Sequence, residues 1–143
     1  MPADPAQLPA AEFAFPGPLR DRLVAAILSG EKTATASLAL EYELEGEPLP
    51  QPGDRLALVD SEGRRLAVLE ATEVRVVRAG DIDDAFARDE GEGFESVAEW
   101  REAHRRFWES EAFRAAVGRP DFVLTDDTEV VQEWFRVVEL LEQ

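Results

Sequence analysis

Hydrophobic positions near the start of the chain recur first at helical and then at strand spacing. Apolar residues three or four positions apart follow Pro18, and Gly30 stands where a helix-ending glycine belongs. This pattern predicts an amphipathic helix from Pro18 to Ser29. The next segment, TATASLAL (residues 33–40), alternates strictly and predicts a strand. One face of that strand carries hydroxyl groups and the other is apolar: Thr33, Thr35 and Ser37 against Ala34, Ala36 and Leu38.

The remaining patterns predict an antiparallel sheet accompanied by helices. Residues 41–54 hold three prolines and two glycines and predict a loop, whereas RLALVD and RLAVLEATEVRVV flank the turn SEGR and predict a hairpin. Residues 81–94 predict a short helix and a glycine-broken acidic loop. Ser96 and Glu99 form a capping box that begins a long helix ending near Val117. Residues 129–141 predict the last strand. This order favours an α+β fold over a parallel βαβ sheet.

Length and composition narrow the class of protein. A chain of 143 residues is expected to form one domain over residues 17–143, preceded by a proline-rich arm at residues 1–16. It has no cysteine and one histidine, His104, so we expect no disulfide, no metal centre and no cofactor. The net charge of −16 argues against long DNA and anionic membranes as partners. No segment predicts a membrane span or a secretion signal, so the expected location is cytoplasmic.

The most distinctive residue is Lys32, the only lysine among 15 basic residues. Arginine keeps its proton, whereas lysine is able to release one, so a single retained lysine suggests chemistry. Lys32 lies in GEKTATAS (residues 30–37), where an amine and nearby hydroxyls suit a base beside a nucleophile. Cooperation with Thr35 requires Lys32 to lie in the turn that leaves the helix. The alternative is a surface lysine beside a threonine-rich edge strand.

GEKTATAS, the loop EYELEGEPLPQPGD, the hairpin, FARDEGEG and the helix WREAHRRFW together resemble the longer bacterial proteins of the ASCH-domain family. The resemblance runs from about Phe15 to Val138. It implies a PUA-like antiparallel β-barrel flanked by helices, with a cleft for nucleosides or RNA. Family members include amidohydrolases acting on N4-acylated cytidines and proteins with ribonuclease activity. The amidohydrolase type usually has an arginine near the end of the motif, where this chain has Ala36, Ser37 and Leu38.

The resemblance implies a catalytic lysine, threonine and glutamate, which match Lys32, Thr35 and Glu90. In one mechanism Lys32 takes the proton of Thr35, which attacks an amide carbonyl while Glu90 orients Lys32 or protonates the leaving amine. In the other, Thr35 only donates a hydrogen bond and Lys32 activates water.

Further side chains are candidates for substrate binding. Thr33 and Ser37 share the hydroxyl face. His104 and Trp108 share a helix face that either stacks on a nucleobase or packs into the core. The arginines of that helix, Arg101, Arg105 and Arg106, either contact a phosphate or pair with acids at helical spacing.

The sequence is compatible with three functions. The first is a hydrolase of modified nucleosides that cleaves the amide of N4-acylcytidine-type substrates. The second is a module of the same class that binds or cleaves RNA. The third is a regulatory domain that binds a small nucleotide without chemistry.

Overall fold

The computed structural model describes residues 4–143. Its strands are β1 (Ala10–Ala11), β2 (Ala34–Leu38), β3 (Arg55–Val59), β4 (Arg65–Arg78) and β5 (Glu129–Leu140). Its α-helices are α1 (Pro18–Ser29), α2 (Ala39–Glu45), α3 (Asp84–Asp89), α4 (Val97–Trp108) and α5 (Glu111–Val117). Short 3-10 turns lie at Pro5–Gln7 and Ala79–Asp81. The predicted first helix, hairpin and last strand are therefore confirmed.

The five strands form one curled half-barrel sheet in the order β1-β3-β4-β5-β2. Every strand pair except one is antiparallel, and this confirms the expected α+β class. The exception is β1, where Ala10 and Ala11 run parallel to Ala57 and Leu58 of β3. Part of the predicted arm thus lies against the edge of the sheet, and its first three residues are outside the described part of the chain.

Two predicted elements were wrong in detail. Residues 39–45 form helix α2 instead of the end of the predicted strand (residues 39–40) and the start of the predicted loop (residues 41–45). The prolines begin only at Pro48, and the Glu41 carboxylate caps the backbone N–H of Leu38 at 2.8 Å. The helix predicted to run to Val117 is divided at Ser110. The Ser110 hydroxyl accepts a hydrogen bond from the backbone N–H of Phe113 and begins a second helix, α5.

Two groups of buried side chains hold the helices on the sheet. In the first, Trp100 and Trp108 of α4 pack with Phe86 of α3 and with strand residues such as Leu38 and Val130. In the second, Val24 and Ile27 of α1 pack on Leu58, Leu69 and Phe135. Helices α3 and α4 therefore lie beside β2, the edge strand that follows Lys32. Within residues 4–143, no helix combines the length and apolar character required to cross a membrane.

Candidate functional site

Lys32 lies in the turn between α1 and β2, as its use in chemistry requires. Helix α1 ends at Gly30, whose φ of 88° lets the chain reverse, and the backbone N–H of Lys32 donates to the carbonyl of Ala26. Its side chain is only 1% exposed. Nζ lies 2.8 Å from the carbonyl oxygen of Ala34, 3.2 Å from that of Glu90 and 3.3 Å from Oε2 of Glu92. Three acceptors match the three N–H donors of an ammonium group.

The loop that follows α3 is held tightly against this turn. The backbone N–H of Thr33 donates to the carbonyl of Asp89 at 2.9 Å, and its hydroxyl donates to the same oxygen at 3.3 Å. Gly91 has a φ of 65°, and a Cβ there would lie 2.2 Å from the carbonyl oxygen of Glu31. Only glycine lets the two backbones approach this closely. The loop thereby brings Glu90 and Glu92 to either side of the lysine.

The side chain of Glu90 turns away from Lys32 toward His104 on α4. Oε2 of Glu90 lies 3.1 Å from Nε2 of His104, and the two side chains are 1% and 12% exposed. Nδ1 of His104 lies 2.8 Å from the carbonyl oxygen of Trp100, an acceptor only, so Nδ1 carries a proton. The imidazole also stacks on the Trp100 ring, with 4.3 Å between centroids and 20° between planes. His104 therefore presents Nε2 to Glu90 in a fixed orientation.

Burial and charge act together on this group, which we call the Lys32 cluster: Lys32, Glu90, Glu92 and His104. Burial alone opposes the charged form of His104, but the adjacent Glu90 carboxylate, together with the Trp100 carbonyl and Glu92, outweighs it and holds the pKa of the imidazole above its ordinary value. Burial also raises the pKa of Glu92, an effect that the positive charge of Lys32 only partly offsets. The cluster thus holds an imidazole and a carboxyl group, both with raised pKa values, beside the buried ammonium of Lys32.

A cleft of about 580 Å³ opens beside the cluster, between the loop after α3 and helix α4. Glu92 belongs to both the cluster and the cleft, because its side chain contacts Lys32 and is still 20% exposed. The lining mixes apolar side chains with mainly acidic ones: Glu92, Gly93, Phe94, Ala98, Glu99, Glu102, Ala103 and Arg106. The cleft is broadly open to solvent, and its volume is within the range of small-molecule sites.

A model of the ASCH domain matches residues 12–139. The chain belongs to the ASCH-domain family. Its structure is similar to that of the ASCH domain from Lactobacillus crispatus JV V101, with 32% identity, a TM-score of 0.78 and coverage of 91% of this chain and 79% of that one. It is also similar to protein EF3133 from Enterococcus faecalis V583, with 30% identity, a TM-score of 0.71 and coverage of 83% and 68%.

A mutant ASCH protein from Zymomonas mobilis shares the fold alone, with 13% identity, a TM-score of 0.51 and coverage of 85% of this chain and 68% of that one. No protein of curated function matches the chain significantly. The expected family and its PUA-like fold are confirmed. ASCH domains are an RNA-binding, PUA-like type of domain, and the chain is a member of that family.

The ASCH domain brings together only some of the residues singled out from its sequence. Lys32, Glu90 and His104 meet, although Glu90 contacts Lys32 through its backbone carbonyl. Thr35 does not join them. Ala34 and Leu38 pack with the tryptophans of α4, so strand alternation directs Thr35 to the opposite face of β2. Its hydroxyl forms no hydrogen bond within the described chain.

The remaining candidates are distributed around the domain. The Ser37 hydroxyl lies 3.0 Å from that of Tyr42, on the same face of β2 as Thr35. Trp108 is buried in the core. The arginines of α4 form ion pairs: Arg101 with Asp126, Arg105 with Glu109 and Arg106 with Glu102. Glu92, which the sequence reasoning missed, is the carboxylate that binds Lys32. Its only signal was its position beyond Gly91 in the acidic loop.

Proposed function

We propose that this ASCH domain hydrolyses the amide of N4-acylcytidine-type nucleosides at the Lys32 cluster. One observation carries the proposal: a fully enclosed ammonium binds Glu92, and that carboxylate borders a cleft of nucleoside size. The resemblance to the lysine and glutamate of the amidohydrolase-type proteins supports the same site. Enclosed charged groups next to a cleft are more typical of functional sites than of structural ones.

The reaction needs water and a path for one proton. The oxygen of a water molecule bonds to the acyl carbon, the bond from that carbon to N4 breaks, and a proton from the water reaches the departing amine. The acid groups and imidazole of the cluster are suited to carry that proton. Lys32 fixes Glu92 at the edge of the cleft, and its three occupied N–H donors favour this anchoring role over that of a free amine base.

The position of Thr35 favours water over a threonine nucleophile. Its side chain lies on the face of β2 opposite to Ala34, which packs toward α4. A nucleophile must lie within hydrogen-bond reach of its base, and no such contact joins Thr35 to the cluster in the described chain. Of the two mechanisms that the sequence leaves open, the proposal keeps the attacking water of the second, but it gives Lys32 the role of anchoring Glu92 and gives Thr35 no catalytic role.

Charge around the cleft favours an uncharged nucleoside over a polymer. Three glutamates line it, and its single arginine, Arg106, is paired with Glu102. The net charge of −16 adds long-range repulsion of polyanions. A neutral acylated nucleoside avoids both penalties.

Variants of Lys32 and Glu92 test the proposal in an assay of acylated cytidines followed by separation of the deacylated product. We expect Lys32→Ala, Lys32→Arg and Glu92→Gln each to reduce kcat/KM by about 100-fold or more. Arginine fails because a planar guanidinium does not replace a tetrahedral ammonium among three buried acceptors. Glu95→Gln is the matched control, since Glu95 is an exposed carboxylate of the same loop outside the cluster. Full activity in Lys32→Ala overturns the assignment of this site.

The second candidate is an RNA-binding or RNA-cleaving module, which the family's general character favours. One local feature suits it: the exposed guanidinium of Arg75 lies over the Trp134 ring, 5.3 Å from the centroid. Arginine and aromatic side chains both stack on unpaired bases. Binding of a labelled single-stranded RNA that is lost in Arg75→Gln, together with no turnover of acylated nucleosides, would favour this candidate.

A further inference from the structure

We propose that Glu90, Glu92 and His104 bind a divalent transition-metal ion such as Mn²⁺ or Zn²⁺. One potential ligand atom from each of these side chains lies within 4.8 Å of the others. The inference rests on the proposed function and adds a metal ion to it, because a bound ion activates water as a Lewis acid. Ion binding itself requires no nucleoside and is tested without one.

The orientation of His104 is that of a metal ligand. Histidines that bind metals usually donate their other ring N–H to a carbonyl or carboxylate, which fixes the tautomer and the direction of the ring. Nδ1 of His104 donates to the carbonyl oxygen of Trp100 at 2.8 Å, and stacking on the Trp100 ring restricts rotation. Nε2 is thereby directed into the space shared with Glu90.

Glu90 supplies an independent observation. Its side chain is 1% exposed, and Oε2 receives no hydrogen bond from any group in residues 4–143. Nε2 of His104 is its near neighbour at 3.1 Å, and no hydrogen bond joins the two atoms. Buried carboxylate oxygens normally have a partner, and an ion between Oε2 and Nε2 supplies one.

Glu92 provides both the third ligand and the route of entry. Its side chain is 20% exposed at the edge of the cleft, so an ion arriving from solvent meets it first. Lys32 retains the carbonyl oxygens of Ala34 and Glu90 as acceptors when Glu92 turns to the ion. A metal ion displaces the proton that Nε2 of His104 holds beside Glu90, and the two carboxylates and one ammonium of the cluster then carry one net negative charge, which favours a bound cation.

The donor set selects the kind of ion. One imidazole nitrogen with two carboxylates suits Zn²⁺ or Mn²⁺, whereas Mg²⁺ and Ca²⁺ favour oxygen ligands alone. Three protein ligands with a free position for water are typical of catalytic sites. The sequence predicted no metal centre because it contains a single histidine. A metal site completed by Glu90 and Glu92 needs no second histidine.

The test is titration of the metal-depleted full chain with Mn²⁺, following the loss of the spin-resonance signal of free Mn²⁺. We expect one saturable site per chain and a contribution from a histidine nitrogen in the pulsed spectrum of the bound ion. Glu90→Gln and His104→Phe, which keep shape or aromatic packing, should weaken binding by about tenfold or more. Glu95→Gln, in the same loop, should bind as the native chain does.

Either of two results overturns the inference. One is the absence of saturable Mn²⁺ or Zn²⁺ binding by the native chain. The other is bound Mn²⁺ with no nitrogen contribution and equal affinity in all variants, which means adsorption to surface carboxylates. The nitrogen signal comes from the native chain, so it decides the matter even where a variant fails to fold. Ion binding without turnover of acylated cytidines refutes the proposed function alone, whereas turnover without ion binding refutes this inference alone.

Discussion

Glu133 is a partly buried acid on β5, paired directly across the sheet with Thr35. Burial raises its pKa above the ordinary value, and the negative charge of Asp54 adds to this effect. The folded state therefore binds a proton more tightly than the unfolded state does. The associated stability is complete below the unfolded pKa, near 4.5, and is lost as the pH rises through the raised value.

We expect Glu133→Gln to remove the loss of stability that accompanies ionisation of Glu133. The variant should gain stability relative to the native chain as the pH increases from about 4 to 7, because glutamine carries no charge to bury. Urea unfolding of both chains at several pH values measures the difference. A stability difference that stays constant over this pH range contradicts the prediction.

Individual residues of the candidate site were predictable to different degrees. Lys32 is conspicuous because it is the only lysine, and resemblance indicates Glu90. Glu92 was missed because the acidic loop contains several glutamates, and only its three-dimensional path shows which one meets the ammonium. His104 was recognised as a site candidate, but its pairing with Glu90 depends on how α4 packs.

At the level of elements, strand alternation separates Thr35 from the Lys32 cluster. Thr35→Val replaces the hydroxyl with a methyl group of similar size, and we expect it to retain most of the amidase activity because the hydroxyl contacts no group of the cluster. Thr33→Val is the comparison, since the Thr33 hydroxyl bonds to the Asp89 carbonyl and helps to hold the loop. A loss of about 100-fold or more in Thr35→Val alone would restore Thr35 as the nucleophile.

The loop after α3 depends on Gly91. Gly91→Ala should lower the free energy of unfolding by about 3 kcal/mol, because a methyl group would collide with the backbone of Glu31 and Lys32 in addition to straining φ. Gly93→Ala is a matched control: its φ of 87° is also positive, but nothing lies within 4 Å of the added atom. It should cost about 1 kcal/mol.

Denaturant unfolding and amidase assays of both variants measure these effects. Gly91→Ala should also lose activity, since the loop carries Glu90 and Glu92. Because Gly93 lines the cleft, the control for activity is Gly63→Ala, at a positive φ of 81° in the turn between β3 and β4, which should keep it. Equal destabilisation by Gly91→Ala and Gly93→Ala would show that the close approach of the loop to Lys32 has no role.

Periodicity predicted most elements but not their ends. Alternation identified β2, with Thr35 and Ser37 on one face, because this short-range pattern follows directly from strand geometry, but Thr33 lies outside β2 and residues 39–40 belong to α2. Helix α2 was missed since the later prolines dominated the reading of residues 41–54. The break at Ser110 was missed because the apolar spacing continues across it, and the hydroxyl that caps α5 gives little signal within a helical pattern.

For the whole molecule, the balance of charge distinguishes a nucleoside enzyme from an RNA-binding protein. The chain carries a net charge of −16, and the arginines of α4 are paired with acids. A protein that neutralises several phosphates releases counterions, so its affinity falls steeply with salt. Binding of one neutral nucleoside releases no counterions, so its affinity has no such dependence on salt.

The most direct test of the central claim measures two activities side by side: hydrolysis of N4-acetylcytidine and cleavage or binding of a labelled single-stranded RNA. Both are assayed at low and at physiological salt. The account predicts turnover of the nucleoside with a kcat/KM that hardly changes with salt. No turnover of acylated nucleosides, combined with RNA affinity that falls by about tenfold or more as salt is added, would contradict it.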